Sequence, residues 1–209
     1  MTARAARIDP AAPPATGARA KARKAMTASL AGEALDLFER DGYDATSIDD
    51  ICAHAEVSRT TFFRYFGSKE EALMGALLDV DTALARAFEA QPRDIPVWAA
   101  LRGALAVIVE AYTADSRTTL RVLGVFGSTK SLGAFHQAKV DRWIELLEPE
   151  LASRMGAQNS LQHDPRPAAA LGSVFACLDA ALGAWARSGG DRTLAEYLDA
   201  ATNMITLHE

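Results

Sequence analysis

Residues 46–69, TSIDDICAHAEVSRTTFFRYFGSK, read as two short helices joined by a tight turn. A hydroxyl at Thr46 or Ser47 accepts a hydrogen bond from a free backbone N–H at the first helix start, and Asp49 completes an S/T-x-x-D pattern. Ile48, Ile51, Cys52 and Ala55 fall at helical spacing on one face. Glu56-Val57-Ser58 supplies the turn, with Val57 to pin the corner and Ser58 to cap the second helix, which runs over 59–66. At about 100° per residue, Phe62 and Phe66 share one side, while Thr60, Phe63 and Arg64 lie largely on the other. Two aromatics anchor this helix and leave its remaining surface for a partner. Gly67 suits a left-handed helix end, and Ser68-Lys69-Glu70-Glu71 has the form of a capping box that opens the next helix.

A helix-turn-helix sets its second helix in the major groove, with N-terminal side chains at base edges and neighbouring polar groups on phosphates. Arg59 and Arg64 each offer two donors to a guanine. Thr60 and Thr61 reach bases or phosphates, and Tyr65 and Lys69 suit phosphates. Thr46, Ser47, Ser58 and Phe63 complete the expected DNA-facing set. The partner implied is a double-stranded DNA operator.

The segment resembles the DNA-binding domain of the tetracycline-repressor (TetR) family. That pattern is carried here by Thr46, Ile48, Ile51, Ala55, Val57, Ser58, Thr61, Phe62, Tyr65, Phe66, Ser68, Lys69 and Glu70, and the preceding stretch LAGEALDLFERDGYDAT also matches. The likeness at motif level covers about residues 25–77. Glu56 stands where the family usually has glycine, so the turn must hold a non-glycine residue, at a cost of about 1 kcal/mol if its φ is positive. Cys52 replaces a common alanine. Thr60 adds a side chain where glycine is frequent, and Phe63 lacks the hydroxyl of the tyrosine common at that place.

The chain has 209 residues and a net charge of −5. That length buries around 70% of the unfolded surface, enough for a small DNA-binding domain and a larger helical one. The acidic balance argues against a nonspecific nucleic-acid coat. Arg19, Lys21, Arg23 and Lys24 nevertheless form a basic run just before the first helix, whereas residues 33–56 are acidic. Residues 1–22, rich in alanine and proline, are expected to form a disordered arm that lacks the continuous apolar core of a signal peptide. Two separated cysteines, Cys52 and Cys177, suggest no disulfide framework and fit a reducing cytoplasm. The apolar stretch 168–185 reads as an interface helix rather than a membrane span.

The expected fold is all-α: an N-terminal three-helix DNA-binding domain over 23–68 and a helical effector-binding and dimerisation domain over 69–209. Helices are expected at 68–90, from Pro96 through Tyr112, at 117–126, through a region interrupted at Pro149 and finishing near Gly156, at 168–187 and at 194–207. No period-two strand or internal repeat is evident.

The resemblance implies a homodimer built on the last two long helices. Phe175, Leu178, Leu182 and Trp185 follow one face, Gly172, Ala176 and Gly183 allow close approach, and Tyr197, Leu198 and Ile205 lie on the last helix. A dimer sets two recognition helices roughly 34–36 Å apart on a near-palindromic site. It also implies an effector cavity, for which Trp98, Leu105, Ile108, Val109, Tyr112, Val122, Phe126, Phe135 and Trp143 are apolar candidates and Arg121 and His136 polar handles. Within the family the chain is similar to regulators of mycofactocin clusters, which implies a small hydrophobic or acyl-coenzyme A-like effector. No cofactor or metal is expected. His54, His136, His163 and His208 are scattered, and no metal-ligand spacing, phosphate-cradling glycine loop or nucleophile elbow accompanies them. The reading is therefore a ligand-responsive transcriptional repressor and not an enzyme; an activator or ligand-independent DNA-binding protein of the same fold is the alternative.

Overall fold

In a computed structural model, the structure describes residues 15–77, 79–156 and 164–205. These residues are helical and contain no strand. In chain order the helices are α1 (Ala15–Asp41), α2 (Ile48–His54), α3 (Arg59–Tyr65), α4 (Lys69–Met74), α5 (Asp81–Glu89), α6 (Val97–Ala104), α7 (Ala106–Thr113), α8 (Ser116–Ser128), α9 (Gly133–Arg154), α10 (Arg166–Arg187) and α11 (Leu194–Thr202).

Two apolar clusters organise them. The first gathers Leu30, Leu35 and Phe38 of α1, Tyr43, Ile51 of α2, Phe62 of α3 with Phe66 just past its end, and Leu73 of α4. Val122 and Val125 of α8, with Leu132, close it from the C-terminal side. The second cluster surrounds α10, which buries ten residues and packs on α11, α9, α8 and α6. α10 is long and apolar enough to cross a membrane, but its most apolar face lies against these helices. Leu171, Val174, Phe175 and Leu178 are all at most 1% exposed.

Several expected boundaries move. Residues 15–22, expected in a disordered arm, belong to α1, so Arg19, Lys21, Arg23 and Lys24 stand on a helix. Alanine, the best helix former, fills enough of this stretch to extend α1 toward the N-terminus; residues 1–14 lie outside those described. The expected helix 68–90 is two, α4 and α5, divided at Gly75. A Cβ there would meet the Phe66 ring at 2.5 Å, so the chain turns where only glycine fits. Apolar periodicity continues across the break and hides it. The helix expected from Pro96 through Tyr112 divides at Leu105 into α6 and α7. In α9 the opposite holds: Pro149 sits inside a 22-residue helix without ending it, giving up one backbone hydrogen bond. α11 ends at Thr202, short of the expected 207; residues 206–209 lie outside those described, with His208 among them, as does His163.

Candidate nucleic-acid interface and adjoining cavity

The reading head is built on well-capped short helices. Ser47 caps α2 by accepting from the Asp50 N–H at 3.2 Å, while the Ser47 N–H donates to Asp50 Oδ2 at 2.8 Å. This capping box lies one residue later than the expected Thr46–Asp49 pair. Thr46 is instead buried, its hydroxyl donating to the Gly42 carbonyl at 2.8 Å. A threonine followed by a serine offers both registers, and burial of the threonine methyl selects between them. Glu56 takes φ +52°, the left-handed conformation that its place in the turn requires. Ser58 caps α3 through the Thr61 N–H.

Phe62 of α3 and its C-cap Phe66 are buried, while Arg59, Thr60, Phe63 and Arg64 are exposed. Phe63 is 47% exposed, a large apolar surface on the outward side. Arg59 pairs with Asp49 of α2 at 2.6 Å. The Arg64 guanidinium stands 5.2 Å from the Tyr65 ring centroid and pairs with no carboxylate among the described residues. Arg23, from the basic run on α1, donates to the Arg64 carbonyl at 3.2 Å and lies 5.3 Å from the same ring. The basic half of α1 is thus docked beside the end of α3.

Lys69 departs from expectation. Its ammonium donates to the carbonyls of Tyr43 at 2.7 Å and Thr46 at 3.0 Å and sits 4.1 Å from the Tyr43 ring centroid. It ties α4 to the α1–α2 loop instead of reaching outward for a phosphate. Tyr43 adds a bond to Glu70 Oε1 at 2.7 Å; burial, with that carboxylate, raises its hydroxyl pKa. The other helix-start features also shift. Ser68 caps the Glu71 N–H, but the Glu71 carboxylate accepts from Gly67 N at 2.7 Å. Only half a capping box forms, and Gly67 needs no left-handed φ, because Glu71 already meets the amide that such an end would orient.

Below the reading head, α8, α9 and α10, with Tyr112 of α7, line a half-open cavity of about 580 Å³ that reaches Met74 of α4 and Leu77. Six expected residues line it: Tyr112, Val122, Phe126, Phe135, His136 and Trp143. Trp98, Leu105, Ile108, Val109 and Arg121 do not. Leu105 and Ile108 are buried in the α10 cluster with Val109 packed against it, and Trp98 donates its indole N–H to the Thr202 carbonyl at 3.4 Å. Arg121, one helical step from inward-facing Val122, turns to α1, where it pairs with Glu39 and Asp36. The Glu39 hydrogen bond leads the causes that raise its pKa. Helical direction separates neighbours in sequence by about 100°, so Arg121 becomes a clasp between α8 and α1.

Polar groups in the lining are few. His136 Nε2 lies 3.0 Å from Asp179 Oδ2, and this bond raises the imidazole pKa. Burial pushes the Tyr112 hydroxyl up to about 12 and pulls the Lys139 ammonium below its ordinary value. Thr129, also in the lining, donates to Asp44 Oδ2 at 2.7 Å, and Ser131 donates to Asp44 Oδ1 at 2.6 Å. These bonds hold the α1–α2 loop to the α8–α9 turn. Lys139, Asp179, Leu178 and Leu182 escaped expectation as lining residues because only the packing of α9 on α10 brings them together.

The sequence profile described as bacterial regulatory proteins, tetR family, matches residues 32–74. HTH-type transcriptional regulator TcmR of Streptomyces glaucescens is 32% identical over 161 residues, 74% of this chain and 70% of that one. The chain belongs to the TetR family of bacterial regulatory proteins. The mycofactocin biosynthesis regulator named MftR of Mycobacterium tuberculosis is 30% identical over 131 residues, 61% of this chain and 64% of its own. A solved Thermus thermophilus FadR, a TetR-family repressor in complex with lauroyl-CoA, is similar in fold with TM-score 0.53 and 20% identity, over 88% of this chain and 96% of that one.

In this TetR-family regulator the expected interface residues point inward. Phe175, Leu178, Leu182, Trp185 and Leu198 are buried within the single chain. Trp185 donates to the Arg192 carbonyl at 3.1 Å, and the Tyr197 hydroxyl donates to Asp191 at 2.7 Å. Ile205, half-buried, bonds through its amide to Thr202. Large apolar side chains on α10 supply the monomer core, and the outward face carries Ala169, Gly172, Ser173, Ala176, Ala180, Gly183 and Arg187 instead. These recur every three or four residues and so form one stripe.

Proposed function

We propose that the chain is a homodimeric repressor that binds a near-palindromic operator and leaves it when a small apolar or amphipathic effector fills the cavity. The observation that carries this reading is the cavity's position: its lining includes Met74 of α4, and α4 packs on α1 in the reading head. An effector seated there touches the element that orients α3. Thr129, shared between the lining and the Asp44 bridge, offers a second route, since displacement of the α8–α9 turn pulls on the α1–α2 loop. A ligand acts only through its different affinity for the DNA-bound and released arrangements.

On DNA, Arg59, Thr60, Phe63 and Arg64 face the bases, with Thr61, Tyr65, Ser47 and Ser58 toward the backbone and the α1 cations along the flanking phosphates. The small-residue stripe of α10 lets a second copy approach closely. The place of action is the cytoplasm, where the DNA is.

The test is selection of bound sequences from a random DNA pool. A palindromic site with half-sites about one helical turn apart is the expected product, and Arg64→Ala relaxes preference at one position per half-site. Enrichment of no palindrome, or of single half-sites only, would defeat the dimeric reading. Addition of straight-chain alcohols and carboxylates to the bound complex then asks whether cavity ligands release it.

A further inference from the structure

The charges around the cavity are unevenly matched. The lining contains one acid, Asp179, and His136 already bonds it at 3.0 Å. Lys139, half-buried in the same wall, has no such partner. Its ammonium lies 5.1 Å from the Trp143 ring centroid, and among the described residues no carboxylate is within ion-pair distance. Asp81 and Asp79 favour its charged form from a distance, but burial outweighs them, and neither touches it. Asp81 Oδ1 accepts from the Trp143 indole at 2.8 Å, and Asp81 Oδ2 pairs with Arg142 at 3.1 Å. Asp79 Oδ1 accepts from the Asp81 amide at 3.1 Å.

A half-buried cation with no carboxylate at contact distance is costly, and burial accordingly shifts Lys139 toward its neutral form. An incoming anion removes that cost. Position adds a second indication. A groove between the reading head and α9, lined by Arg23, Lys24 and Arg142, shares Met74, Leu77, Phe135 and Lys139 with the cavity. Lys139 therefore stands where an apolar chamber meets a charged groove that also holds Glu71, Asp79 and Asp81. Leu123, Phe126, Leu132 and Leu182 complete an apolar bed on the chamber side, and its volume of about 580 Å³ falls within the roughly 300–1,000 Å³ usual for small-molecule sites.

We propose that the cavity selects a lipophilic anion, in its simplest form a straight-chain carboxylate, with the head on Lys139 and the chain between α8 and α10. The proposal rests on the reading of this cavity as the effector site and names the chemistry it takes. Asp179 is engaged by His136 at 3.0 Å and Asp81 by Arg142 and Trp143, whereas a cationic amphiphile meets Lys139 directly.

Calorimetric titration of the full chain, without DNA, with decanoate, decanol and decyltrimethylammonium below their micelle concentrations tests this. Decanoate is expected to bind about tenfold more tightly than decanol, as a charge-assisted hydrogen bond confers, and the ammonium most weakly. Lys139→Gln brings decanoate down to the affinity of decanol, and Lys139→Arg retains the preference. Equal binding of decanoate and decanol, preference for the ammonium, binding of none, or a decanoate preference that survives Lys139→Gln would each overturn the proposal. The wild-type comparison and the arginine variant decide the matter even if the glutamine variant fails to fold. Since DNA is absent, decanoate that binds as expected but leaves the operator complex intact refutes the regulatory reading alone; release by decanol only refutes the ligand class alone.

Discussion

Among single residues, Glu56 and Lys69 carry the clearest consequences. Glu56 holds a left-handed backbone at φ +52° with an exposed side chain. Glycine adopts that conformation without the steric cost, so Glu56→Gly is expected to stabilise the chain by about 0.5–1 kcal/mol after allowance for glycine's larger unfolded entropy. Denaturant midpoints measure this, and an unchanged or lower midpoint would show that the turn is unstrained. Lys69 is a positioning residue. Its two bonds to carbonyls of the α1–α2 loop predict that Lys69→Met loses about 2 kcal/mol of stability, while the salt dependence of DNA binding by the folded fraction stays as in the parent. A variant of parental stability whose salt slope falls by about one charge would restore Lys69 to the phosphate backbone. Motif reading placed this lysine correctly in sequence and wrongly in space: a pattern records that an ammonium is needed after Ser68, not which oxygens surround it.

At the level of elements, α9 and α10 meet at the cavity through His136 and Asp179. The folded imidazole has a raised pKa, first through its bond to Asp179 and against the opposing effects of burial and Lys139. A raised folded pKa means that the pair's contribution is fully present below the unfolded value, about 6.5, and fades as pH climbs through the folded one. The difference in thermal midpoint between the parent and Asp179→Asn is thus expected to be largest between about pH 5 and 6.5, and to shrink at higher pH. A difference that is flat or grows with pH would rule out the pair as its source. Element boundaries were less legible than element types. Apolar periodicity spans Gly75 and Leu105 without interruption although the chain turns at the first and the helix is locally broken at the second, and it cannot show that α9 tolerates Pro149. Caps were read more closely, with the Ser47 box displaced by one residue from the expected pair.

Across the whole molecule, α10 has two faces with different duties. Its large apolar residues fill the monomer core, and the outward stripe of alanine, glycine and serine is the proposed contact with a second copy. Ala176→Glu, on that exposed stripe, is expected to leave the stability of the monomer within about 0.5 kcal/mol of the parent while shifting sedimentation to monomer and abolishing binding to a two-half-site operator. Retention of the parental sedimentation coefficient would move the dimer contact elsewhere. The all-α class, the reading head, its anchoring by Phe62 and Phe66 and the exposure of Arg59, Thr60, Phe63 and Arg64 were all legible in the amino-acid order. Those features depend on neighbours within one or two helical turns, where 3.6-residue periodicity and capping chemistry act directly. It took the packing of distant helices to decide that Phe175, Leu178, Leu182 and Trp185 face inward, that Arg121 clasps α1, and that Lys139 stands where a cavity meets a charged groove with no carboxylate of the described residues in ion-pair contact. An apolar face looks the same in sequence whether its own chain or another covers it, and a charge acquires a partner only when helices distant in sequence pack around it.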